Sequence, residues 1–270
     1  MLLRRRQGET RSGRRQRGAL RLTWLGQAGF RLDVSGLGIV VDPWVSDHED
    51  RLAPAPPLEL AANDVDWLLI THEHLDHLDL AFLPLVLERS PAVRVVLPAP
   101  LVPLVEHVVP ERQTIAVQPH DTVDLDGLDL NVVPAFHGVT MEDAYGDGSA
   151  LGGRPRFVGY VVRADARRTI YHAGDTIVTP ELTAALAPFG IDVALLPING
   201  RDEAREARDI VGNMDAREAV ELALGLGAAM LVPYHWGGFA GNTVPPGAAA
   251  DEAAGRIHVL VSGRFRPLAL

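Results

Sequence analysis

The chain has 270 residues, 47% of them hydrophobic and 22% charged, and it has no Cys. A chain this long buries roughly three-quarters of the surface it exposes when unfolded and needs no disulfide staple; without thiols, any metal must sit on His and carboxylates. The net charge of -10 is uneven, because residues 1–18 hold seven Arg (Arg4, Arg5, Arg6, Arg11, Arg14, Arg15, Arg17) against Glu9, leaving 18 basic and 34 acidic side chains in the rest.

So acidic a body repels phosphate backbones and anionic lipid, which argues against nucleic-acid and membrane partners. Residues 1–18 read as an Arg-rich arm, whether a solvated tail, a nucleic-acid or membrane tether or translated sequence ahead of the true start, before one domain over 19–270. The Arg5-Arg6 pair has no apolar segment behind it: Gln7 to Gly18 is polar, and Arg21 and Thr23 break the run Leu20 to Leu25. No stretch reaches the ~18 apolar residues of a membrane span, so a cytoplasmic location is expected.

In chain order, Leu20 to Trp24, Gly29 to Val34 and Leu37 to Val41 read as a meander of strands separated by Gly-rich turns. Ala53 to Pro57 is a Pro-rich loop, and Asp66 to Thr71 suits a short buried strand. Asp79 to Glu88 carries helix spacing, followed by strands at Val93 to Leu97 and Thr114 to Val117 and a hairpin turning at Asp126-Gly127. Gly138 to Arg156 is a long Gly-containing stretch without pattern. Phe157 to Val162 and Thr169 to His172 pair as strands, and then strand and helix alternate: helix Glu181 to Pro188, strand Asp192 to Leu196, helix Ala216 to Leu226, strand Met230 to Pro233. Asp215 and Glu218 spell a capping box at the second helix. Meanders followed by this alternation indicate mixed sheets covered by helices, an α/β or α+β layering.

The chemistry concentrates in Thr71-His72-Glu73-His74-Leu75-Asp76-His77, directly after the buried run Trp67 to Ile70. One ion cannot use His72, His74, Asp76 and His77 together comfortably; two ions can, each needing ligands from other strand ends. Three such candidates occur: His137 after Val132 to Ala135, Asp175 after Tyr171 to Gly174, and His235 after Leu231 to Tyr234. His48, His107, His120 and His258 have no ligand partner in view, and His172 stands near the chemistry as a support.

This H-x-H-x-D-H motif with later His, Asp and His resembles the metallo-β-lactamase superfamily over residues 20 to 262. Within it, Trp24 to Phe30, Val41 to Trp44, His172 to Thr176, Leu196 to Asp202, Gly212 to Met214 and Val232 to His235 are similar to the branch containing L-ascorbate-6-phosphate lactonase. The resemblance implies an αββα sandwich, two mixed β-sheets flanked by helices, with metals at one edge. It implies one divalent ion, Mn²⁺ or Zn²⁺, on His72, His74 and His137, a second on Asp76, His77 and His235, and Asp175 bridging. Two ions ~3.5 to 4 Å apart also require a bridging hydroxide, which serves as the nucleophile, with Asp76 or Asp175 moving the proton. Asp42 is expected to accept a hydrogen bond from a ligand His. Asn199, Arg201 and Asn213 are the expected substrate contacts; Arg205 and Arg208, spaced with Arg201, equally suit a solvated helix face.

The leading expectation is a dinuclear hydrolase opening a lactone or ester of a small anionic metabolite, with homo-oligomerisation left open. Phosphodiester hydrolysis on the same ligands is the alternative. A non-catalytic binding module would predict damaged ligands, yet all seven are present.

Overall fold

The computed structural model describes residues 20–137, 156–165, 168–207 and 212–270. The Arg-rich arm, the stretch Gly138 to Arg156 apart from Arg156, and Arg208 lie outside the described residues. The first half of the chain runs β1 (Arg21–Gly26), β2 (Gly29–Val34), β3 (Leu37–Val41), α1 (Leu58–Ala62), β4 (Trp67–Leu69), α2 (Phe82–Arg89), β5 (Arg94–Pro98), α3 (Val102–Val105) and β6 (Thr114–Val117). The second half runs β7 (Thr122–Asp124), β8 (Asp129–Pro134), β9 (Val158–Asp165), β10 (Arg168–His172), α4 (Pro180–Leu186), β11 (Val193–Pro197), α5 (Glu203–Glu206), α6 (Ala216–Gly225), β12 (Met230–Tyr234), α7 (Ala248–Ala253), β13 (His258–Val259) and β14 (Pro267–Ala269).

Two seven-stranded sheets result, ordered β14-β1-β2-β3-β4-β5-β6 and β13-β12-β11-β10-β9-β8-β7. Both are mixed: β1, β2 and β3 are antiparallel before β4 to β6 join in parallel, and β7 to β10 are antiparallel before β11 to β13 join in parallel.

The apolar runs are continuous because both faces of each sheet are covered, and successive side chains divide between them. In β4, Trp67 and Leu69 enter the core between the sheets while Leu68 joins the layer under α2. In β11, Val193 and Leu195 face the other sheet, and Ala194 and Leu196 pack with α4, α6 and α7. This is the expected α/β sandwich, helix layer, sheet, sheet, helix layer.

Local chemistry sets the turns. Asp126 and Gly127 both take positive φ, 55° and 99°, the condition for a two-residue type I′ hairpin, and Leu125 and Leu128 bond each other across it. α6 starts at the expected capping box, with the Asp215 side chain on the Glu218 N–H and the Glu218 side chain on the Asp215 N–H. The helix expected from Asp79 begins at Phe82 instead. Asp79 is buried and accepts from the backbone N–H groups of Val45, Ser46 and Phe82, so its carboxylate ties the loop after β3 to the helix start. The short elements α1, α3, α5, α7, β13 and β14 carry too little periodicity to have been read from sequence. Among the described residues, no helix is long and apolar enough to cross a membrane.

Candidate metal centre

The seven ligand-capable side chains all follow the C-terminal ends of strands: the His72 to His77 turn follows β4, His137 follows β8, Asp175 follows β10 and His235 follows β12. Ile70 N–H bonds Val96 carbonyl, Thr71 N–H reaches Asp42 Oδ1 at 2.9 Å, and Leu78 N–H closes the turn on His74 carbonyl. Phe136 N–H donates to Thr176 Oγ1 and Ile177 N–H to Phe136 carbonyl, which clamps the loop of His137 against that of Asp175. Gly174 has φ 62°, and a Cβ there would stand 2.6 Å from Val158 carbonyl, so the bend that aims Asp175 requires glycine. His235 takes φ 63° and Asp42 φ 43°, an uncommon conformation for side-chain-bearing residues that recurs at functional sites.

These turns bring together two groups, His72, His74, His137 and Asp175, and Asp76, His77 and His235, with donor atoms inside each group within 4.8 Å of one another. Asp175 stands between the groups: Oδ2 lies 3.5 Å from His137 Nε2 and 3.1 Å from His235 Nε2, and Oδ1 lies 3.4 Å from His77 Nε2. Asp76 Oδ2 is 3.5 Å from His235 Nε2. His77 Nε2 and Asp175 Oδ1 are buried without a hydrogen-bond partner among the described residues, an expensive state for polar atoms unless something binds them. Imidazole nitrogens and carboxylate oxygens converging on one space with polar atoms unsatisfied fit divalent cations.

The surrounding contacts set tautomers and charge. Asp42 Oδ2 accepts from His77 Nδ1 at 2.7 Å and from the Thr71 hydroxyl at 2.6 Å, which leaves His77 Nε2 as the inward atom. Burial disfavours charge on His77, yet Asp175, Asp76 and Asp42 outweigh it and hold its pKa well above the usual imidazole value. Burial pushes His74 down to about 3 and His137 down to about 4. Asp175 stays well below the usual carboxylate range, because His235 and His77 overcome the cost of its burial. His172 does not face this space. Its Nε2 bonds Ala28 carbonyl at 2.8 Å and its Nδ1 accepts from Gly174 N–H at 3.1 Å, so it braces the loop carrying Asp175. Glu73, inside the motif, turns away to Arg156, with Oε1 3.1 Å from the guanidinium.

A cleft of about 310 Å³ opens on the cluster, lined by His74, Asp76, His137, Asp175 and His235 and rimmed by Asp50, Leu75, Phe239 and Asn242. Arg201, expected at the substrate, does not line it. Its guanidinium forks onto Glu218 at 2.8 and 3.0 Å and bonds Asn213 carbonyl, so the fork that would grip an anion already holds the capping box of α6. Asn213 and Asn199 are buried and do not line the cleft; hydrogen bonds link Asn213 to Asn199 and Asn199 to Asn242, which does. Arg205 donates to Asn199 carbonyl and pairs with Asp202.

Sequence reasoning assigned no role to Gln27 or Asn242. Gln27 Nε2 donates to Asp76 Oδ2 at 2.8 Å and lies 3.1 Å from His235 Nδ1. A Cβ on Gly238 would fall 1.7 Å from Gln27 Oε1, so this glycine makes room for that amide. The signal for Gln27 was its place in the turn between β1 and β2; Asn242 lies in an irregular segment that offers no periodic signal.

This architecture and site belong to a known class. A family model described as beta-lactamase superfamily domain matches residues 38–236, and the chain belongs to that superfamily. Within it, the chain is 32% identical over 228 residues to a UPF0173 metal-dependent hydrolase of Pyrobaculum calidifontis, covering 82% of this chain and 85% of the relative. It is 32% identical to the UPF0173 metal-dependent hydrolase PH1671 of Pyrococcus horikoshii, covering 88% and 92%. Among solved structures, Igni18, a metallo hydrolase from Ignicoccus hospitalis, superposes with a TM-score of 0.71 at 25% identity, over 93% of this chain and 98% of that one.

Proposed function

We propose that the protein is a dinuclear metal-dependent hydrolase that opens a small lactone or ester, as the lactonase-like branch of its superfamily does. The observation that carries this reading is Asp175 standing between two donor groups, one oxygen near His137 and His235 and the other near His77. His72, His74 and His137 would hold one ion, Asp76, His77 and His235 the other, and Asp175 both; five imidazoles with two carboxylates suit Zn²⁺ or Mn²⁺. A pair of divalent ions, when bound, would bring the pKa of shared water towards ~7 and polarise the substrate carbonyl at its oxygen, making the carbon more electrophilic.

The chain's own residues supply the rest. Asp42 fixes the His77 tautomer, and Gln27 fixes the Asp76 oxygen it donates to. The Asp76 side chain, 10% exposed against 4% for Asp175, is the carboxylate better placed to take the proton from the attacking water and return it to the leaving oxygen. The cleft volume sits at the lower end of the range of small-molecule sites, roughly 300 to 1,000 Å³, which favours a small substrate. With Arg201 engaged by Glu218, recognition of any anionic group on that substrate falls to the bound cations rather than to Arg201.

The test is elemental analysis of protein purified without a metal-affinity tag, beside turnover of lactone, ester and phosphodiester panels with and without chelator. Two ions per chain with chelator-sensitive lactone or ester hydrolysis is the expected result. Cleavage of diesters alone would replace this reading with the phosphodiesterase one. Asp175→Ala is expected to lower metal content and turnover together; full turnover with two ions still bound would remove Asp175 from its bridging role.

A further inference from the structure

We propose that Asn242 is a catalytic contact, its side-chain amide donating to the substrate carbonyl oxygen as negative charge develops there, with Asn199 and Asn213 as positioning residues; the proposal rests on the hydrolase reading above. Asn242 is at the cleft with His74, Asp76, His137, Asp175 and His235. Two amides run from it into the protein: Asn199 Nδ2 donates to Asn242 Oδ1 at 3.0 Å, and Asn213 Nδ2 donates to Asn199 Oδ1 at 3.0 Å.

The direction of this chain decides what Asn242 presents outward. Asn213 is 0% exposed and Asn199 1% exposed. In the observed direction, the atom left unsatisfied at the buried end is Asn213 Oδ1, an acceptor. The reverse direction would strand an NH₂ group there, two donors in place of one oxygen, which costs more than an under-satisfied carbonyl. The Asn242 oxygen is therefore committed inward. Its Nδ2 has no hydrogen-bond partner among the described residues and remains free for a ligand in the cleft.

The chain is also held in place. Arg205 donates to Asn199 carbonyl, Asn199 bridges Asp215 at the α6 cap, and Thr243 Oγ1, next to Asn242, accepts from Gly237 N–H at 2.6 Å. A donor fixed by its neighbours before substrate arrives needs no reorganisation when charge appears. In the reaction, a water oxygen bonds the carbonyl carbon and the carbonyl π pair moves onto oxygen, where Asn242 donates. That pair then re-forms the carbonyl, the carbon–oxygen bond to the leaving group breaks, and the leaving oxygen takes the proton given up by the water, yielding acid and alcohol. The shared presence of Asn199 and Asn213 near the site then follows from their action through Asn242.

The experiment compares the metal-loaded protein with Asn242→Ala, Asn242→Leu, Asn199→Ala and the Asn242→Ala/Asn199→Ala double variant. The loss of one preorganised donor is expected to lower kcat on the order of 10²-fold in both Asn242 variants, with little change in KM. Metal content and unfolding midpoint should stay at the parent values. Phenylphosphonate, a tetrahedral oxyanion, should bind the parent by calorimetry and lose roughly tenfold in affinity in the Asn242 variants, a loss of about 1.4 kcal/mol. The double variant should be no worse than Asn242→Ala, because Asn199 acts through it. Parent-like kcat and phosphonate affinity in Asn242→Ala, or losses that add in the double variant, would overturn the proposal. If no lactone or ester is turned over, the hydrolase reading fails by itself and the phosphonate arm decides this one. Phosphonate binding that is absent or indifferent to Asn242 then overturns it.

Discussion

Asp42 and His77 form a buried carboxylate–imidazole pair beside the ligand cluster. The carboxylate holds His77 Nδ1 at 2.7 Å and so commits Nε2 to the site, with both side chains fully buried. Asp42→Asn is expected to weaken metal affinity about 10- to 100-fold, the usual cost of removing such a support; competition with a chromophoric chelator measures it, and an unchanged affinity would sink the assignment. Protonation gives a second prediction. His74 and His137, held near 3 and 4 by burial, bind protons less well folded than unfolded, so their stabilising share of the metal-free fold is complete above about 6.5 and shrinks as pH falls towards those values. His77, held above its usual value, contributes most below that value and loses its share only at higher pH. Between pH 6 and 4 the chelated protein should therefore lose denaturant resistance. A midpoint rising over that interval would contradict the buried neutral imidazoles. Arg201 shows the limit of residue-type reasoning: a guanidinium suits a phosphate or a carboxylate equally, and residue type does not say that the carboxylate at its fork is Glu218.

At the scale of elements, the loops after β4, β8, β10 and β12 carry the ligands, and the strands themselves only aim them. The same geometry gives α6 a structural role, since its capping box, Arg201 and the Asn199 bridge meet at one end. Glu218→Ala removes a cap and the partner of Arg201 at once, and should cost about 1 to 2 kcal/mol. Arg201→Ala should lower the unfolding midpoint by a smaller step while KM for a turned-over substrate stays as in the parent; a severalfold rise in KM with an unchanged midpoint would restore Arg201 to the substrate.

Across the whole molecule, the site joins the two sheets: β4 lies in one, and β8, β10 and β12 lie in the other. The Tyr160 hydroxyl, from the second sheet, donates to Ile70 carbonyl beside the His72 turn at 2.6 Å, another tie across the sandwich. Ions bound by ligands from both sheets stabilise only the assembled fold, by about 4 kcal/mol at a thousandfold excess over Kd. For a chain of this size that corresponds to roughly 10 °C in Tm. Chelation is expected to lower Tm by about this amount, read by scanning calorimetry, and metal removal with no change in Tm would show that the cluster does not hold the sheets together.

Much of this was legible in one dimension. The short apolar runs, the Asp126-Gly127 turn and the Asp215 capping box are local signals, set by backbone sterics and burial within a few residues, and the structure reproduces them with element boundaries shifted by at most three residues. The dense His72 to His77 run was legible for the same reason, since its members are near neighbours in sequence. What the tertiary structure alone decided is pairing at long range. Gln27 meets Asp76 across 49 positions of sequence, and Asn199 meets Asn242 across 43. Arg201 has Glu218, not a ligand, at its fork. No propensity encodes such meetings, because which hydrogen bond a buried side chain makes depends on which strand ends the two packed sheets bring to one edge.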